Sequence, residues 1–315
     1  MKEKLVIQAQ PIPSISRKSW NRRHIFRGER IGYLYILPSL IFLLAVLGFP
    51  ILYSVYMSFE NYTLATLVSG KMQFIGFQNY ATIFQNPVFW AALNHSFVFT
   101  IISIFFQFTI GFGLALLFSR AFPLSGVLRG LMLSGWQIPS VVVGTIFLWM
   151  FNLDYGLINF VITSLGQSGI PWLIQVPYPL IAVIATNIWF GIPFNVILMT
   201  AGITGLPEDV YEAATVDGAN PISKFLYITL PLLRPTITAV LMLGLIYTLR
   251  VFDIIWVMTK GGPGTATEVL PTFAYRLSFV SFQFGQSSAV AVVMLILLFI
   301  VAIVYVRNTV SETME

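Results

Sequence analysis

The sequence predicts an all-α polytopic membrane protein with six transmembrane helices. Three observations carry that prediction. Of 315 residues, 57% are hydrophobic and only 9% charged, whereas a soluble domain carries roughly 25% charged residues. Apolar runs near the ~20 residues that a bilayer requires recur along the chain. Between two of them lies a soluble-looking stretch, residues 206–235, with four of the twelve acidic residues: Glu208, Asp209, Glu212 and Asp217.

The chain opens on a basic tail. Residues 1–30 hold eight Lys/Arg against two Glu. That is a charged flank on a membrane protein; a nucleic-acid partner would need a folded basic face, and none is expected. No small-residue cleavage site stands out, so the tail does not resemble a signal peptide. The six expected spans are 33–57, 94–118, 129–151, 178–202, 236–258 and 286–306. Together they make residues 31–310 a transmembrane domain, with 311–315 as a short C-terminal tail. Pro38, Pro50, Pro139, Gly191 and Pro193 fall inside spans. Kinks there need neighbouring helices or a polar cavity to satisfy the freed backbone groups.

Orientation follows from Lys and Arg. With both termini cytoplasmic, the inner segments hold the eight tail residues plus Arg120, Arg129, Lys224, Arg234 and Arg307, and the outer loops hold only Lys71, Lys260 and Arg276. This places 206–235 in the cytoplasm, between spans four and five. The chain has no cysteine, which excludes disulfides and thiol chemistry. His24 and His95 are far apart, so no metal site is expected.

The stretch 206–235 reads as helix, turn, helix. Pro207 suits a first helical position. Glu208 and Asp209 then face the positive end of the helix dipole. Ala213 and Ala214 leave almost no side chain, so another surface can approach the backbone. Asp217-Gly218 ends the helix with a residue able to take the left-handed cap. Asn220-Pro221 restarts one as N-cap and first position.

These residues carry a resemblance. Glu212-Ala213-Ala214, Asp217-Gly218-Ala219, Phe225, Ile228, Leu230-Pro231 and Pro235 resemble the "EAA" loop of bacterial ABC-importer permeases. Phe252-Asp253, Thr259-Lys260-Gly261-Gly262-Pro263, Thr267 and Tyr275 resemble the carbohydrate-uptake group, which includes the maltose and glycerol-3-phosphate permeases. The loop 58–93 is too short for the large extra domain of some maltose permeases. The resemblance implies a coupling helix between spans four and five that seats in an ATPase groove, with Glu212, Ala213, Ala214, Asp217 and Gly218 as its working residues. It implies as partners a second homologous permease, two ATP-binding subunits and an extracytoplasmic sugar-binding protein, in a bacterial cytoplasmic membrane. ATP and Mg would be bound by the partner ATPase. The sequence agrees, because it has no G-x-x-x-x-G-K-[ST] phosphate loop. No covalent chemistry is expected of this chain.

Candidates for the substrate path come from polar residues inside spans. Arg250 and Asp253 are costly at bilayer depth, roughly 2.5–3.5 kcal/mol each. At three residues apart they are expected on one helix face, with Tyr247 a turn earlier. They read either as a polar stripe lining the path or as an ion pair bracing span five. Asn187, Trp189 and Asn195 flank Gly191-Ile192-Pro193. They read either as sugar-binding amides with an aromatic face, or as helix–helix hydrogen bonding. Gln107, Gln137 and Gln286 are lesser candidates. Gly261-Gly262-Pro263-Gly264 reads as a flexible outer turn. The cargo expected from the resemblance is a sugar, with an oligosaccharide first and glycerol-phosphate or another polar solute as the alternative. An ion-coupled secondary transporter would want more intramembrane acids and internal repeats.

Overall fold

A computed structural model of the chain describes Tyr33, residues 35–120 and residues 122–313, the last six of these by backbone only. The basic tail expected at 1–30 lies outside the described residues. The chain divides into two compact units, Met1–Tyr53 and Ser54–Glu315. The first unit contributes most of helix α1, Tyr35–Met57, which contains a π turn at Leu44–Gly48. Its large apolar side chains are exposed, as a lipid-facing helix requires.

The second unit is mostly helical, with helices joined by turns and loops. Its only β contact among the described residues is the bridge between Glu60 and Phe74. Among the described residues of the whole chain, α1 included, five helices are long and apolar enough to cross a membrane, or six if one bent pair counts as a single span. After α1 come the short helices α2 (Leu64–Ser69) and α3 (Gln78–Gln85), then the long α4 (Pro87–Phe118). Asn86 caps α4 by accepting the Val88 N–H. The expected third span is the bent pair, α5 (Ser125–Trp136) and α6 (Ser140–Met150), which turn by 97° at Gln137–Pro139. Proline disfavours helix at the residue before it, so Ile138 marks the corner. Next come α7 (Leu157–Ser164) and α8 (Tyr178–Thr204), the latter carrying Pro193 inside it.

Then follow α9 (Glu208–Val216), α10 (Pro221–Lys224), a π turn (Phe225–Thr229), α11 (Leu230–Leu249) and α12 (Asp253–Met258). The chain closes with α13 (Leu270–Phe279) and α14 (Phe284–Thr313), so the backbone of the expected C-terminal tail remains helical through Thr313.

α4 and α8 form the most extensive helix pair. They approach closely because Gly111 faces Asn195 and Gly191 faces Gln107, with no room at either glycine for a further carbon. Gln107 Nε2 donates to the Asn187 carbonyl across this seam at 2.7 Å. One core gathers Phe99, Val183, Ile254 and Ile255; a second joins Ile83, Phe89, Leu270 and Val290; a third joins Ala115, Met199, Leu233 and Val240. The bundle therefore has two distinct ends. At one, the close of α4 meets the stretch 206–229. At the other, the start of α4 meets 268–270, where Ser96 Oγ accepts the Leu270 N–H at 2.9 Å.

Candidate functional site

Span five is not one helix. α11 ends at Leu249, Val251 and Phe252 are non-helical, and α12 restarts at Asp253. The expected Arg250–Asp253 face is therefore absent, and the two make no ion pair. Each charge sits at a different helix end. Arg250 caps the negative end of α11, and Asp253 opens the positive end of α12. Asp253 Oδ2 accepts a hydrogen bond from Ser140 Oγ at 2.6 Å, which joins the start of α12 to the start of α6.

The break borders a cavity of about 430 Å³. Tyr247, Arg250, Asp253 and Asn187 line it, and so does Gln107. Asn187 is 2% exposed, and its Nδ2 has no hydrogen-bond partner, leaving a buried donor in the wall. Trp189 and Asn195 are not in the lining. Trp189 packs on Phe147 at 5.4 Å, and Asn195 Nδ2 donates to the Gly191 carbonyl of its own helix. Of the lesser candidates, Gln137 and Gln286 are also not in the lining. Reading from sequence missed Trp136, Ser140, Phe194 and Gly244, all of which line it. Trp136 and Tyr247 flank Phe194 with ring centres 5.9 and 5.6 Å away, making an aromatic wall. Opposing charges, two amides, a hydroxyl and ring faces thus converge on one space.

The stretch 206–235 folds close to expectation. Pro207 stands just before the helix, in the N-cap position, instead of inside it. Glu208 and Asp209 occupy the first turn of α9. Glu212 and Ala213 are exposed, Ala214 is half-buried, and Asp217 is the exposed C-cap. Gly218 has φ +77°, the left-handed conformation that favours glycine. Asn220 accepts the Ser223 N–H at 2.8 Å and Pro221 opens α10. One side of α9 therefore stands free while Tyr211 points back into the fold.

The family model described as "binding-protein-dependent transport system inner membrane component" matches residues 107–310, which takes in the cavity and this loop. The chain belongs to that family. Its fold is that of an ABC-importer permease. It is 36% identical over 289 residues to the sulfoquinovosyl glycerol transport system permease of Agrobacterium fabrum, covering 91% of this chain and 93% of the relative. It is 33% identical to the trehalose/maltose transport system permease of Thermococcus litoralis, covering 90% and 94%. Its fold matches a chain in the solved bacterial alginate ABC transporter in complex with alginate pentasaccharide-bound periplasmic protein. That match has a TM-score of 0.76 and 26% identity, covering 91% of the permease and 97% of that chain.

The permease's Gly261–Gly264 segment is not the flexible turn expected from composition. Thr259 and Thr267 hydroxyls lie 2.6 Å apart, and Thr267 Oγ1 donates to the Gly262 carbonyl at 2.9 Å. Arg276 Nη2 donates to Glu268 Oε2 at 2.6 Å and to the Lys260 carbonyl at 2.8 Å. Glu268 is fully buried and sits against Gly261, whose φ is +85°. A side chain at Gly261 would meet both the carboxylate and the guanidinium. Beside Arg276 on α13, the Tyr275 ring packs at a tilt against Phe252 and Trp256, at 4.9 and 4.5 Å, so this locked loop is continuous with the cavity wall.

Proposed function

We propose that this permease forms half of the translocation path of an ATP-driven, binding-protein-dependent importer of a carbohydrate, with an oligosaccharide as the favoured cargo. The carrying observation is the cavity at the broken span. Its ring wall of Trp136, Phe194 and Tyr247 suits the C–H face of a pyranose. Gln107, Asn187, Ser140, Arg250 and Asp253 offer both donors and acceptors for hydroxyls. The carbohydrates in the names of the relatives support this reading.

The cavity has one cation and one anion that do not neutralise each other by contact. That favours a second reading, an acidic carbohydrate whose anion meets Arg250. The solved neighbour, described as importing the acidic polysaccharide alginate, supports it. Uptake of an acidic and a neutral oligosaccharide by Arg250→Gln separates the two readings. Selective loss of the acidic one favours the second.

Energy enters from outside the chain, which has no phosphate loop. The exposed face of α9, with Glu212 and Ala213 and the half-buried Ala214 at its edge, is the proposed seat for one of two ATPase subunits, and those subunits bind ATP and Mg. A second homologous permease completes the path, and an extracytoplasmic binding protein delivers the sugar. The Lys/Arg distribution supports both termini, and α9, on the cytoplasmic side. A small movement of α9 is then amplified by a bundle with two arrangements.

The test is a plug. Gly244 lines the cavity and has open space where a side chain would begin. Gly244→Trp is expected to abolish sugar uptake while the complex still assembles and hydrolyses ATP. Wild-type uptake by the plugged, assembled complex would remove the cavity from the path.

A further inference from the structure

We propose that Tyr211 is the positioning residue that ties the ATPase-docking helix to span five across the π turn at Phe225–Thr229. The inference rests on the coupling role proposed for α9.

A hydroxyl can donate one hydrogen bond and accept others, so a few side chains can link two elements in a chain of bonds. Thr229 Oγ1 donates to the Lys224 carbonyl at 3.3 Å. Its oxygen also lies 2.8 Å from the Tyr211 hydroxyl, a hydrogen bond that either group can donate. A return path exists. Lys224 Nζ donates to Thr215 Oγ1 at 2.6 Å, and Thr215 Oγ1 donates to the Tyr211 carbonyl at 2.7 Å. Tyr211, Thr229, Lys224 and Thr215 thus form a closed circuit. Two members belong to α9, and two bracket the π turn.

The two ties are unequal. Thr215 is exposed, so solvent competes for the lysine bond. Thr229 is 7% exposed and Tyr211 is half-buried, so their bond has few alternatives when broken. The buried tie is therefore the firm one.

What it grips is a joint. The Leu230 N–H reaches back to the Phe225 carbonyl, five residues away, instead of four. One extra residue rotates the rest of the helix by about 100° and loosens the ladder, and such turns recur at functional sites. Phe225 stacks on Phe112 of α4 at 6.0 Å, so one face of the joint rests on the bundle. α11 continues from the joint to Leu249 and the cavity. A displaced α9 pulls Thr229 through Tyr211, and Thr229 is the last residue before that helix.

The test uses the assembled transporter in nanodiscs: this chain, its partner permease and the ATPases. This chain has no cysteine, so with the partner subunits' cysteines replaced Gly244→Cys is the single reporter, placed in the cavity wall. The probe is a membrane-impermeant maleimide, with the labelling rate measured before and after trapping nucleotide with vanadate. The parent is expected to change rate on trapping. Y211F is expected to trap as much nucleotide yet show a change about fivefold smaller, the scale of one buried hydroxyl bond. T229V should match it, T229S should keep the parent response, and the Y211F/T229V pair should be no worse than either single change.

A full response in Y211F overturns the proposal. So does failure of both Y211F and T229V to assemble, which would make the tie a plain structural brace. Ala213→Trp separates this from the reading beneath it. If Ala213→Trp keeps the full response, or if the parent itself labels independently of trapping, the coupling role of α9 falls. If Ala213→Trp abolishes the response while Y211F keeps it, only the Tyr211 tie falls.

Discussion

Removing Arg276 should be among the costliest single changes in the second unit. Glu268 is fully buried, and Arg276 is 37% exposed. One carboxylate oxygen, Oε1, already has no partner; the other depends on Arg276. Arg276→Met therefore leaves a buried carboxylate without a cation and also frees the Lys260 carbonyl. Breaking a buried pair from one side costs about 3–5 kcal/mol. The exposed third of Arg276 places this pair near the lower end, about 3 kcal/mol. Glu268→Gln is asymmetric, because Arg276 can turn to solvent, and about 1–2 kcal/mol is expected. Replacing both, as Glu268→Leu with Arg276→Met, should recover most of the loss, because no charge remains buried. The assay is denaturant unfolding of the purified permease in detergent, arranged as a double-mutant cycle. Stability of Arg276→Met within about 1 kcal/mol of wild type, well short of the range for a broken buried pair, would show that Glu268 does not depend on it. So would a double variant as weak as the sum of the singles.

Three further outcomes follow from the same geometry. Gly218→Pro cannot adopt φ +77° and should abolish uptake while the chain still reaches the membrane; Gly218→Ala should cost only about 1 kcal/mol, read by thermal unfolding. Gln107→Leu removes the bond to the Asn187 carbonyl and a polar group from the cavity. Helix-helix bonds in membranes average about 0.6 kcal/mol, so unfolding should barely move while the KM for uptake rises. Ala213→Cys and Gly264→Cys, each unique in a cysteine-free chain, should react with impermeant thiol reagents from opposite sides of the membrane.

Much of the span layout was legible because bilayer length is a one-dimensional signal. The 97° corner in span three was half legible: Pro139 marked it, but a kinked span and a re-entrant bend share that mark. The stretch 206–229 was readable almost residue by residue, because caps and left-handed turns are local chemistry. The break after Leu249 was not, since Thr-Leu-Arg-Val-Phe contains no Gly or Pro. Two charges, each placed at a helix end, took the place of the expected face. Trp136 and Phe194 were missed for a related reason. Helices apolar on every side do not reveal which side meets a cavity. Trp189 and Asn195 illustrate the same blindness from the other direction: one packs on a neighbouring ring, and the other bonds to its own helix. The locked 259–276 loop depends on Arg276 reaching back to Glu268 and Lys260, which a glycine-rich composition conceals.

The most direct measurement of the proposed transport function is uptake into proteoliposomes that contain the full complex. The assay uses a radiolabelled panel of neutral and acidic oligosaccharides with the binding protein, with ATP inside or outside. Uptake is expected to require the binding protein and ATP on the α9 side, and Gly244→Trp is expected to abolish it. Uptake driven by an ion gradient without ATP, or undiminished by the plug, would contradict the proposed function.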